Sequence, residues 1–206
     1  MIKPSLFLFS ILYGGMTCIA GVLGNKQVAL GGPLAVEAGI FPFLLLVVLS
    51  NAVAELHGRD VANRLVRFGF IPLLASMGLI LLVLALPPAS DMDPARFAAF
   101  QMVLGQSPRL MFAGIIAYGV SQSLNVGIFS GLRGTAGDWL WLRAATAGVL
   151  SQVIDTLLFI TIAFYGEFPI SGLLIGQILA KVTLSVLILP LLIQLAVGLG
   201  RRLDRV

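Results

Sequence analysis

Charge is what this chain most lacks. Only 11% of its 206 residues are Asp, Glu, Lys or Arg, while 59% are hydrophobic. Soluble domains carry about 25% charged residues. A soluble fold of this size has too little interior to hide so much apolar surface, so a soluble enzyme or binding domain is excluded. Cysteine is nearly absent: the single Cys18 sits in an apolar run, which excludes an intramolecular disulfide, and no zinc-ligand spacing occurs. The only histidine is His57, beside Arg59. There is no Walker loop and no Ser-His-Asp arrangement with a buried His. Neither an enzyme nor a cofactor or metal site is therefore expected, and any drive by ATP must come from another chain. The net charge of +4 would suit an acidic partner such as nucleic acid. Here the basic residues flank the apolar runs and read as topology signals instead, with the lipid bilayer as the partner.

What is abundant is apolar sequence, in runs long enough to span a membrane. A spanning helix needs about 20 residues. Six spans are placed near 5–24, 39–57, 68–87, 109–130, 143–166 and 171–199, giving an all-α polytopic membrane protein with one transmembrane domain over 1–206. The first run follows Lys3 as a signal peptide would, but it is long and has no clean small-x-small cleavage site before Asn25, so an uncleaved span is expected. Pro42 and Pro72 each fall near the start of a predicted span, where proline is tolerated. The sixth run is long enough to tilt or to end in an interfacial turn. With six spans, Lys3, Arg59, Arg64, Arg67, Arg133, Arg143, Arg201, Arg202 and Arg205 lie on one side, and Lys26, Arg96 and Arg109 on the other. By the positive-inside rule both termini are cytoplasmic. In the outer loop 87–108, Asp93-Pro94 is a helix start and Phe97, Phe100 and Leu104 recur at helical spacing, which predicts a short interfacial helix.

Against this apolar background the polar residues stand out. Ser121-Gln122-x-x-Asn125-x-x-x-Phe129 and Ser151-Gln152-x-x-Asp155-x-x-x-Phe159 read almost alike. The i, i+4 spacing sets Ser and the amide or acid on one helical face. Asn51 and Glu55 are likewise four apart, as are Gln177 and Lys181, and Asn25 with Lys26 closes the outer end of the first span. A charge near the bilayer centre costs at least about 2.5–3.5 kcal/mol, so Asp155 and Lys181 are functional candidates. The alternatives are a structural ion pair between them, inter-helix hydrogen bonding by Asn51 and Asn125, and a headgroup contact for Glu55. By the orientation above, Asn51, Glu55, Gln122, Asn125, Gln152 and Asp155 fall toward the cytoplasmic half, with Lys181 nearer the middle. Trp139 and Trp141 read as interfacial anchors.

Phe41-Pro42-Phe43, Asn51-x-x-x-Glu55-Leu-His-Gly58, Gln122-x-x-Asn125-Val-x-x-Phe129-x-x-Leu-Arg133 and Ser151-Gln152-x-x-Asp155-Thr156-x-x-Phe159, followed by Lys181 and Pro190, together resemble the queuosine precursor transporter family. That family was earlier named for vitamin uptake. It is similar to the six-helix membrane subunits that bind substrate in energy-coupling-factor importers. The resemblance runs from Asn25 to about Pro190 and implies a multi-pass transporter of the bacterial inner membrane. It would import a 7-deazaguanine for tRNA modification: the 7-cyano base, its aminomethyl analogue, or queuine. The chain departs from the family in carrying Asn51 and Asn125 where Asp is usual, and two residues more between Phe43 and Asn51.

A 7-deazaguanine offers two adjacent N–H donors and a carbonyl acceptor. A carboxylate matches the first and a Lys or amide the second. The resemblance thus implies a substrate site in which Asp155 reads the donor edge and Gln152, Gln122 and Asn125 contact the ring. Lys181 serves the carbonyl or holds Asp155 ionised, and Asn51 and Glu55 form the inner wall; Asn25 completes the set. Loss of two family acids favours the neutral cyano base. The alternatives are a site for another vitamin-like solute, or an intramembrane scaffold for a partner protein. The energy source and any homo-oligomer are left open.

Overall fold

The computed structural model of the chain describes residues 3–24, 26–31, 34–105, 108–133, 139–166 and 170–205. In chain order the elements are α1 (Pro4–Leu23), β1 (Gln27–Gly31), β2 (Leu34–Glu37), α2 (Ile40–His57), α3 (Arg59–Ala85), α4 (Pro94–Leu104), α5 (Pro108–Gly131), α6 (Leu140–Phe164), α7 (Ser171–Leu187) and α8 (Leu189–Leu203). Among the described residues five helices are long and apolar enough to cross a membrane, and the number is six if the bent pair α7–α8 is one span. The architecture is the all-α polytopic bundle predicted, with two features the sequence reading did not contain.

The first is a hairpin between α1 and α2. β1 and β2 pair antiparallel with Gln27 opposite Glu37 and Val28 opposite Val36, and the register slips between Ala29 and Gly31. Gly31-Gly32-Pro33 between two short apolar stretches is a hairpin turn signal, but the strands are too short to stand out against a chain that is apolar throughout.

The second is the break in the sixth span. α7 and α8 meet at Ile188 with a bend of 45°. Pro190 lies in the first turn of α8. Proline has no N–H to give the carbonyl four residues earlier, and its ring crowds that carbonyl, so the helix bends there rather than tilting whole.

Other boundaries also differ from the sequence reading. α3 begins at Arg59, not near residue 68, which makes Pro72 an interior proline. A Cys18 Sγ–H from α1 donates to the Pro72 carbonyl at 3.5 Å. Gly58 alone separates α2 from α3, at φ 91°, ψ 164°. That conformation is essentially closed to residues with a Cβ. Asp93 caps α4 as expected, accepting from the Arg96 amide at 3.1 Å. No residue of α4 is buried.

α2 is the central helix: it packs on α1, α3, α5 and α8, and twelve of its residues are buried. α3 is its opposite, turning Phe68, Ile71, Leu74 and Leu79 outward. In a membrane protein such a face meets lipid rather than water. Tyr118 joins three helices: its hydroxyl donates to the Val66 carbonyl at 3.2 Å and accepts from the Tyr13 hydroxyl at 3.0 Å.

The two ends of the described chain meet at one end of the bundle. Asp204 accepts from the Ser5 amide at 3.1 Å and the Ser5 hydroxyl at 2.9 Å, and Ser5 Oγ lies 2.8 Å from His57 Nε2. An even number of spans puts both ends on the same side of the membrane, where such a contact can form. The hairpin and α4 lie at the opposite end.

Candidate functional site

Between the hairpin end and the bundle middle lies a cavity of about 220 Å³. A single water needs only about 10–15 Å³ on this measure, so the space accommodates a small organic molecule. Every span before α8 contributes to its wall, as do β2 and the end of α4. Most of the wall is apolar. The polar groups that reach it include Glu37, Asp155, Gln177 and Lys181.

Asp155 and Lys181 form the charged centre. Lys181 Nζ donates to Asp155 Oδ2 at 2.8 Å, and the Ser121 hydroxyl donates to Asp155 Oδ1 at 3.0 Å. Ser121 belongs to the first polar cluster and Asp155 to the second, so the matched motifs meet across the α5–α6 interface. The Lys181 ammonium also sits 5.4 Å from the centre of the Phe43 ring, within cation–π range. Asp155 and Lys181 are only 5% and 8% exposed. Removal from water on this scale requires pairing, and the geometry supplies it.

Gln177, one turn before Lys181 on α7, is 3% exposed and lines the cavity, yet its Nε2 has no hydrogen-bond partner among the described residues. Buried polar groups are nearly always satisfied, so an unpartnered amide in a cavity wall is suited to a ligand acceptor.

The remaining predicted residues separate into two deeper groups. Near the middle, Asn125 Nδ2 donates to Asn51 Oδ1 at 2.8 Å and Asn51 Nδ2 returns a bond to Asn125 Oδ1 at 3.4 Å. Ser50 joins them, accepting from Asn125 at 3.3 Å and donating to Gln122 Oε1 at 3.4 Å. These side chains are fully buried and face one another across α2 and α5 instead of lining the cavity. Gln152 is also fully buried outside the cavity wall, with neither end of its amide partnered among the described residues.

Nearest the chain termini, Glu55 pairs with Arg143 at 2.9 Å. Arg143 also donates to the Phe129 carbonyl at 3.1 Å and stacks over the Phe129 ring at 4.3 Å. Arg143 is 2% exposed, so it is a structural clamp rather than the loop charge the sequence suggested. The two cluster phenylalanines part company accordingly: Phe129 carries this clamp, while Phe159 lines the cavity. Asn25 lies outside the described residues.

The structure also moves Asp155. It stands past the midpoint of α6, about 22 Å from Leu140 at 1.5 Å per residue, and so nearer the hairpin than the termini. The sequence reading put it in the half beside the termini. Glu37 was missed altogether. Its signal, an acid in an apolar stretch, resembles that of any loop carboxylate until β2 is packed on α7.

A polytopic helical bundle with a mostly apolar cavity bordered by a buried ion pair has the form of a membrane transporter for a small molecule. Comparison with known proteins agrees. Residues 37–195 match the family described as "Putative vitamin uptake transporter", and the chain belongs to that family. A curated relative from Bacillus subtilis (strain 168), named "Probable queuosine precursor transporter", is 30% identical over 182 residues, covering 86% of this chain and 78% of the relative. No solved structure matches the chain.

Proposed function

We propose that the protein imports a queuosine precursor of the 7-deazaguanine class across the bacterial inner membrane, both termini lying in the cytoplasm. The observation that carries this reading is the Asp155–Lys181 pair in the wall of an otherwise apolar cavity. A carboxylate offers about four lone-pair sites, and Lys181 and Ser121 occupy two. The others suit the adjacent N1–H and 2-amino donors of the base. Lys181 has three N–H bonds and spends one on Asp155, so it retains donors for the base carbonyl, with Gln177 beside it. The apolar walls, Phe159 and Phe43 among them, suit the faces of a planar ring. With the termini inside, the cavity lies in the outer half of the membrane, where an importer receives its solute.

Asn51, Asn125 and Gln122 serve in this reading as the packed floor that closes the path below the cavity, and Glu55–Arg143 as a second closure. Uptake of radiolabelled base by the purified protein in liposomes tests the proposal. Saturable uptake that free guanine does not compete away is expected. Liposomes that take up none of the three bases, with or without a pH gradient, defeat it.

A further inference from the structure

The cavity holds a carboxylate that the Asp155–Lys181 pair does not balance. Glu37 ends β2, and the packing of β2 on α7 puts its side chain in the same wall as Asp155, Gln177 and Lys181. Asp155 and Lys181 cancel one another at 2.8 Å, whereas Glu37 makes no ion pair with any described residue. Among the described residues, the other elements around it bring no second cation to the wall. α1 contributes the neutral thiol of Cys18 and α5 the phenol of Tyr118, while α2, α3 and α4 contribute no titratable group. Lys26, just before β1, is exposed to solvent.

With Glu37 ionised the described residues of the wall therefore carry one net negative charge, in surroundings that are otherwise mostly apolar. Burial pushes the Glu37 carboxyl above its ordinary range; Lys181 opposes that rise and Asp155 adds to it. A ligand cation relieves the same penalty from within the cavity. A neutral ligand of similar shape shields the charge from water without compensating it.

We infer that Glu37 is the specificity-determining residue of this cavity and selects a ligand bearing an ammonium group over a neutral isostere. The inference rests on the proposed reading of the cavity as a 7-deazaguanine site. Within that class it favours the amine-bearing bases, the aminomethyl base and queuine, over the cyano base. The opposite preference, expected from Asn51 and Asn125, loses its basis because those amides face each other and not the ligand space. Selection requires the ionised carboxylate. It is present at high pH and lost as pH falls through the Glu37 titration, beginning at a higher pH than an unperturbed glutamate would set.

Equilibrium binding of the aminomethyl and cyano bases to purified wild type, Glu37→Gln and Glu37→Asp decides the matter. Near neutral pH the wild type should hold the aminomethyl base about ten- to a hundredfold more tightly, as befits one charge-assisted hydrogen bond. Glu37→Gln should lose most of that preference while keeping its affinity for the cyano base, which also shows that the variant is folded. Glu37→Asp should restore part of the preference. Mild acid should narrow it in the wild type and leave Glu37→Gln unchanged. Equal binding of the two bases by the wild type, or an undiminished preference in Glu37→Gln, overturns the selectivity role while leaving the cavity reading intact. A Glu37→Gln protein that melts like the wild type yet binds neither base also overturns it. Binding of neither base by the wild type defeats the cavity reading, and this inference with it.

Discussion

Removing Lys181 separates a ligand-binding role for the ion pair from a purely structural one. In Lys181→Met the Asp155 carboxylate keeps the Ser121 hydroxyl but loses the one cation within 4 Å of it among the described residues. Removing one partner of a buried pair costs about 3–5 kcal/mol because the other charge is stranded. Asp155 borders a cavity that admits some water, so the lower end, about 3 kcal/mol, applies. At this chain length that corresponds to a fall of about 6–12 °C in Tm. In Asp155→Asn with Lys181→Met no charge is stranded, and replacing both members of such a pair is often neutral or stabilising. The double variant should therefore melt within a few degrees of wild type, well above Lys181→Met. If the pair also binds the base, the double variant should be stable and inactive. The assay is thermal unfolding in detergent alongside base binding, on wild type, both single variants and the double. A Lys181→Met protein as stable as wild type would refute the stranded-charge argument. A double variant that is stable and binds the base at unchanged affinity would refute the functional one, leaving the pair as a structural contact.

Arg143→Lys keeps the charge but not the stack on Phe129 together with the bonds to Glu55 and the Phe129 carbonyl. It should lower stability by about 2 kcal/mol without changing base affinity at the far end of the bundle, which the same melts and titrations measure. Gly58→Ala meets open space but an unfavourable backbone at φ 91°, so a loss of about 1–3 kcal/mol is expected from conformation alone; a variant that melts with wild type would show that α2 and α3 re-join without strain. A reporter fused at the C-terminal end should be active only as a cytoplasmic type, and periplasmic activity there would reverse the orientation argued from Lys and Arg.

The membrane class, the apolar runs that become spans and the helical start at Asp93-Pro94 were legible in the residues alone. They depend on composition, run length and local capping, each of which acts over one or two helical turns. The polar residues inside the predicted spans were also visible, since a Gln, Asp or Lys inside an apolar run is conspicuous whatever it touches. Their division of labour was not. Asn51 shares a helix face with Glu55, and Asn125 with Ser121, just as Asp155 does with Ser151, yet Asn51 and Asn125 turn to each other while Asp155 reaches the cavity. Which face of a helix meets which neighbour depends on helix rotation and register, and those are settled by the packing of the whole bundle. Arg143 read as a loop charge for the same reason: one turn of extra helix and the approach of Glu55 from α2 bury it. Glu37 shows the point most plainly. Its place beside Asp155 and Lys181 arises from a two-stranded hairpin folding back onto α7, a contact between residues more than a hundred positions apart that no local pattern encodes.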